Sequence, residues 1–186
     1  ASEEEGFIGA DLDISMVGEE EKSAAQNIPD DDAIMQKGTA YHAIMQKIDF
    51  TVPFEQERER LKNMFADEIS VPQIKAAHEY VSRLLCDFGG KVYREQSFVV
   101  DFDGTLVQGI IDLMAINGKR ALILDYKLSG EKNLLSDKYV GQINAYADAV
   151  EKVLKIKAEQ LILYSFTSKT AKKVERRSSE NKKSAF

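Results

Sequence analysis

Cysteine is nearly absent: Cys86 is the only one in 186 residues, so no intrachain disulfide, cysteine-built zinc site or four-cysteine iron-sulfur cluster can form. That cysteine falls on the apolar side of a helical stretch, and the expectation is a small buried hydrophobe rather than a nucleophile. No apolar run approaches the ~20 residues that cross a bilayer. The start is acidic and lacks the basic and apolar stretch of a signal segment, so the chain is expected in the cytoplasm without membrane contact. No G-x-x-x-x-G-K-[ST] phosphate loop occurs, which leaves ATP hydrolysis outside this chain. Internal repeats and low-complexity tracts are also missing.

What is present is material for one core, since 44% of the residues are hydrophobic and the length suits a single domain of ordinary size. The net charge of −6 conceals a division: residues 1–32 hold eleven acids and one lysine, whereas the remainder holds twenty acids and twenty-four bases. The first part reads as an acidic linker or arm, as in a piece cut from a longer protein. The modestly basic body, 33–167, suits a polyanionic partner. From Ser168 to the end, seven Lys or Arg and no hydrophobic period predict a flexible basic tail.

Helical spacing at Ile34, Tyr41, Met45 and Ile48 predicts a first helix over Ala33 to Ile48, with His42 inside it. Further helices are expected at roughly Phe54 to Glu68 and Pro72 to Phe88, the latter closed by Gly89-Gly90. Strands follow at Lys91–Val100, Thr105–Ile116 and Ala121–Lys127, then a helix from about Ser136 to Lys155 and a strand at Gln160–Thr167. The order is helices, a three-strand meander, a helix and a strand.

Chemistry concentrates between Gly109 and Lys127, where G-I-I-D is followed by D-Y-K across a turn at Asn117-Gly118. Side chains two apart share a strand face, which groups Ala121, Ile123, Asp125 and Lys127 on one strand, and Leu106, Gln108, Ile110, Asp112 and Met114 on the other. A hairpin register then brings Asp112 to Asp125 among apolar neighbours. Two such carboxylates repel each other and resist burial, so they ask for a cation. Mg²⁺ needs only one or two carboxylates and keeps several waters. A solvated edge strand is the plainer reading of D-x-K by itself.

A different signal lies at Val99-Val-Asp-Phe-Asp-Gly-Thr-Leu-Val107, which resembles the nucleophile motif of haloacid dehalogenase-type phosphatases. That family also needs a later pair of acids close in sequence, and none follows Val107. Asp-Gly is equally good turn chemistry, and Asp101 to Thr105 is read as a hairpin.

Four ordered motifs carry the fuller resemblance: Lys37-Gly-Thr-Ala-Tyr-His-Ala-Ile-Met-Gln46, Gln108-Gly-Ile-Ile-Asp-Leu113, Leu124-Asp-Tyr-Lys127 and Tyr139-x-x-Gln142-x-x-x-Tyr146. Together, over about residues 33–166, they resemble the RecB-type branch of the PD-(D/E)XK nucleases, as found in helicase-nucleases of the AddAB and RecBCD type. The resemblance implies a restriction-endonuclease-like α/β fold, a mixed central sheet flanked by helices with a helical segment at the N-terminal end. It implies Asp112, Asp125 and Lys127 as catalytic residues. His42, Asp112, Asp125 and the main-chain carbonyl of Tyr126 would be the metal ligands. Gln142 and Tyr146 would face DNA across one side of their helix, opposite a core stripe of Ile143, Ala147, Val150 and Leu154, and Glu95, on a face with Tyr93 and Ser97, would have a supporting role.

The implied cofactor is Mg²⁺, with Mn²⁺ able to substitute because of the imidazole, and no iron-sulfur cluster. Implied partners are single-stranded DNA from unwound duplex, the rest of a parent helicase subunit, and an AddB-like second subunit, in bacterial double-strand break repair. Leu128-Ser129 departs from the threonine and acid that usually follow the lysine. An inactive nuclease fold serving as a DNA-binding or docking module is the alternative, and the phosphatase the third reading.

Overall fold

The computed structural model describes residues 30–177, with side chains from Lys37 onward. The expected acidic arm, 1–32, lies almost entirely outside the described residues. Helix α1 spans Asp30–Lys47, α2 Phe54–Arg60 and, after a 3₁₀ turn at Lys62–Met64, α3 Val71–Phe88. Strands β1 (Lys91–Phe102), β2 (Thr105–Asn117) and β3 (Arg120–Lys127) form the meander. The short α4 (Glu131–Leu134) and long α5 (Asp137–Leu154) lead to β4 (Lys157–Ser165) and β5 (Thr170–Val174).

The five strands make one sheet in the order β1-β2-β3-β4-β5. Only β3 and β4 run parallel, because α5 crosses over between them, and the other neighbours are antiparallel. This is the mixed α/β sheet that the sequence predicts. One face packs Tyr41 and Ile44 of α1, Ile48 just after it and Ile74 of α3 against Leu113, Leu122 and Leu124. The other packs Ile143, Ala147 and Val150 of α5 against Ile111, Ile123 and Leu163. Central β3 is buried from Ala121 to Tyr126, which explains its continuous apolar run: a strand covered on both faces need not alternate.

Several expectations need correction. The second helix stops at Arg60 rather than Glu68, and the chain turns back so that Phe65 meets Phe54 edge-on at 6.3 Å. Within the expected tail, Thr170–Val174 pairs with β4 and buries Val174. Partnering Leu161 and its neighbours gives this polar-looking segment a strand's place despite its lysines. Cys86 is exposed, since the buried stripe of α3 runs through Ile74, Ala77, Val81 and Phe88 and leaves residue 86 outside it.

The D-F-D-G motif is a hairpin, as expected. Phe102 pairs with Thr105 across Asp103 and Gly104, both at positive φ (53° and 90°), the requirement of a tight two-residue turn. The Asp101 Oδ1 accepts the Gly104 amide at 2.7 Å. Its carboxylate therefore serves the turn, which removes the ground for the phosphatase reading.

Strand alternation breaks at one place that matters. Glu95 has a left-handed φ of 47° inside β1 and lies across from Asp112, where the β1–β2 register skips one pair. Tyr93 and Phe98, five apart, both pack on the α5 side, as do Ile111 and Met114 on β2. Met114 thus does not share the face of Ile110, nor Tyr93 that of Ser97, because the pleat reverses at Glu95 and Asp112.

Candidate active site

The site begins where two strands part. The β2–β3 ladder ends at Leu113 with Leu124, so Asp112 and Asp125 would form the next register pair and instead stand at the mouth of a fork. Asp112 Oδ2 accepts the amide of Tyr126 at 2.8 Å, taking the place of a ladder carbonyl. The same oxygen lies 3.1 Å from Nε2 of His42, projecting from α1, while Nδ1 lies 2.9 Å from the Gly38 carbonyl.

Both ring nitrogens of His42 lie against oxygen acceptors, an arrangement that the protonated ring satisfies. Burial opposes its charge, but the Asp112 hydrogen bond and charge, with the Gly38 carbonyl, raise its pKa to about 9. In its protonated form His42 would donate to Asp112 and fix it.

On β3, alternation works as the sequence predicts, and Asp125 and Lys127 face α5. Asp125 is only 4% exposed, and burial first, then the Asp112 charge, pushes its pKa up to about 6 against the opposing Lys127. Lys127 Nζ lies 2.7 Å from Asp125 Oδ2 and donates to Gln142 Oε1 at 2.7 Å. Gln142 Nε2 in turn donates to the Tyr146 hydroxyl at 2.9 Å. Lysine and glutamine are thus linked as one chain from β3 to α5.

Tyr146 is not an exposed stacking platform. It is 7% exposed and belongs to the same core as Ile143, Ala147 and Val150, with its ring edge-on to Phe98 at 5.6 Å. Gly109 makes room for this. A Cβ there would stand 2.8 Å from the Tyr146 ring and 3.0 Å from Phe98, closer than van der Waals contact allows. Sequence reasoning missed Gly109, although a glycine inside a strand does mark a close approach. The ring of Tyr139, 4.6 Å from Lys127 Nζ, was also not assigned. Glu95, directly across from Asp112, has a carboxyl raised first by burial and then by the Asp112 charge.

His42, Asp112, Asp125, Lys127 and Gln142 thus meet in one place, and Tyr146 reaches it only through the hydroxyl that Gln142 holds at 2.9 Å. Among the described residues, no three His, Cys, Asp or Glu side chains are arranged to share one ion. The donor chemistry still fits Mg²⁺, which requires only one or two carboxylates and fills its remaining positions with water or substrate. A buried acid whose ionisation is already disfavoured, beside a second acid, is satisfied by added positive charge.

The PD-(D/E)XK nuclease superfamily model matches residues 20–185. Similar proteins include the A-subunit of the ATP-dependent helicase/nuclease of Pelotomaculum thermopropionicum, 32% identical over 70% of this chain and 13% of that protein. Those of Clostridium perfringens (strain SM101) and Clostridium acetobutylicum are 29% and 28% identical, over 70% and 75% of this chain and 13% and 14% of theirs. The chain therefore spans about an eighth of the length of these curated relatives. Among solved structures, the crystal structure of SSO0001 aligns with 84% of this chain and 82% of its own at 14% identity, with a TM-score of 0.37. With the acids at the fork, the lysine two residues on and a family match across most of its length, this chain belongs to the PD-(D/E)XK nuclease superfamily.

Proposed function

We propose that this domain is a Mg²⁺-dependent deoxyribonuclease, an exonuclease acting on single-stranded DNA that the rest of a bacterial helicase-nuclease unwinds during double-strand break repair. The observation that carries this reading is the pairing of buried Asp125 with the half-buried Lys127, 2.7 Å apart, at the fork opposite Asp112. An inactive fold has no reason to keep a lysine and a poorly solvated carboxylate together.

Asp112 and Asp125, with the Tyr126 carbonyl, would hold the ion; as a ligand, His42 would present Nε2, which lies 3.1 Å from Asp112, in its unprotonated form. When bound, Mg²⁺ or Mn²⁺ supplies Lewis acidity and water of lowered pKa. The chain's own contribution is placement. Lys127 offers a fixed ammonium to the attacking water or to a phosphate oxygen, where negative charge grows as the phosphodiester breaks. Gln142 prevents that ammonium from turning into solvent. The burial of both partners strengthens each of these interactions relative to water. The domain would work with the remaining helicase segment of its own polypeptide and with an AddB-like second subunit, and its place would be the cytoplasm.

The test uses end-labelled single- and double-stranded DNA with Mg²⁺ or Mn²⁺, comparing the wild type with Asp125→Ala and Lys127→Ala. Metal-dependent cutting of the single strand, reduced at least ~100-fold in both variants, is the expected result. Cutting that survives both substitutions would refute the assignment.

A further inference from the structure

We propose that Tyr139 is a positioning residue for Lys127, and that Ser129 holds Tyr139 in place for this task. The inference rests on the nuclease reading of the same site.

The ammonium has three partners. Two are oxygens, Asp125 Oδ2 and Gln142 Oε1, each at 2.7 Å, and the third is the Tyr139 ring, whose centroid is 4.6 Å away. Lysine is a strongly hydrated point charge on a long, mobile stem. The Lys127 side chain is nevertheless only 15% exposed, so something must replace the water it gives up. Two oxygens and the negative face of an aromatic ring achieve that. They also leave the lysine a narrow choice of positions.

Tyr139 has its own fixing point. Its hydroxyl lies 2.7 Å from Ser129 Oγ, and the Ser129 carbonyl accepts the Ser165 hydroxyl at 2.6 Å. One serine thus ties the segment after β3 to the first turns of α5 and to the end of β4. Lys127 in turn sits between the three elements that Ser129 joins.

Three variants separate the parts: Tyr139→Phe keeps the ring and removes the hydroxyl, Tyr139→Leu removes the ring, and Ser129→Ala removes only the hydroxyl's partner. Thermal unfolding checks that each is folded. The first readout is NMR of the 186-residue chain, because protons held over a ring face are shifted upfield. The Lys127 ε-methylene should be upfield in the wild type, less so in Tyr139→Phe, which frees the ring from Ser129, and at an ordinary lysine position in Tyr139→Leu. The second readout is cleavage. Tyr139→Leu should lower kcat roughly ten-fold, the scale of a desolvated cation–ring contact, with KM for DNA nearly unchanged. Tyr139→Phe and Ser129→Ala should each lose much less, and by similar amounts.

An unshifted Lys127 in the wild type, or a Tyr139→Leu variant with wild-type kcat, would overturn the proposal. A raised KM with unchanged kcat would overturn it too, making Tyr139 a DNA contact. If the wild type cuts no DNA with any divalent ion, the nuclease reading fails, and the methylene shift alone then decides whether Tyr139 positions Lys127.

Discussion

Asp112 accepts the backbone amide of Tyr126 at 2.8 Å, so a side chain of β2 completes the hydrogen bonding of β3 beyond the end of their ladder. The same carboxylate therefore serves the fold and, in the proposed nuclease, the metal, and the two can be separated. Asp112→Asn keeps an acceptor oxygen and loses the charge beside His42, whereas Asp112→Ala also strands a buried N–H and should cost a further ~1–3 kcal/mol. Cleavage should disappear in both. Urea unfolding beside a cleavage assay checks this, and equal stability of the two variants would contradict it.

Asp125 carries the opposite balance. Its burial disfavours the ionised form, so Asp125→Asn should leave the thermal midpoint of the metal-free protein unchanged or raise it, by at most ~3 kcal/mol of stability, while abolishing cleavage. Loss of the Lys127 ion pair opposes part of the gain. Calorimetry in chelator is the measurement, and a drop of several degrees would count against a destabilised carboxylate.

The acid limb of stability should contain Glu57. Its buried carboxylate accepts Arg60 Nε at 2.8 Å and the Asp49 amide at 2.7 Å, and the Arg60 bonds above all hold its pKa below the usual glutamate value. The unfolded chain therefore binds the proton more readily, so the contribution is complete above the ordinary glutamate pKa and is lost as pH falls through the folded one. Glu57→Gln should destabilise near neutrality, and its difference from wild type should shrink on acidification. A constant difference from about pH 7 to about pH 3 would remove Glu57 from this role.

Thr170–Val174 should prove to be part of the domain. A chain ending at Lys169 leaves the edge of β4 unpaired and uncovers the core beside Val174, so its unfolding midpoint in urea should fall or the protein should aggregate. Unchanged unfolding would show that β5 adds nothing.

Cys86, outside the buried stripe of α3, should react with a thiol reagent in the native protein about as fast as in urea. Protection of more than ~100-fold would place it in the core after all.

Much of this was legible in the sequence because period and turn chemistry are local. The D-F-D-G turn, the meander and the shared face of Asp125 and Lys127 follow from them directly. What escaped depends on tertiary partners. Tyr146 lies at a helical spacing from Gln142, yet Gly109 across the sheet opens the space that buries it. The run of lysines after Ser168 conceals a strand because β4 supplies the hydrogen bonds. The left-handed Glu95 has no marker in its residue type, and it reverses the pleat beside Asp112.

The parallel pairing of β3 with β4 also bears on the order in which the chain becomes competent. Asp112, Asp125 and Lys127 are all made before α5 and β4 emerge in synthesis. The lysine, however, is held by Gln142 on α5, and the end of β3 by the Phe166 amide, which donates to the Lys127 carbonyl at 2.9 Å. Parallel strands joined through a helix close late, since the entropy of a long loop is lost before their contacts form. The candidate site is therefore complete only once the crossover is in place, because α5 and the end of β4 supply the partners of Lys127.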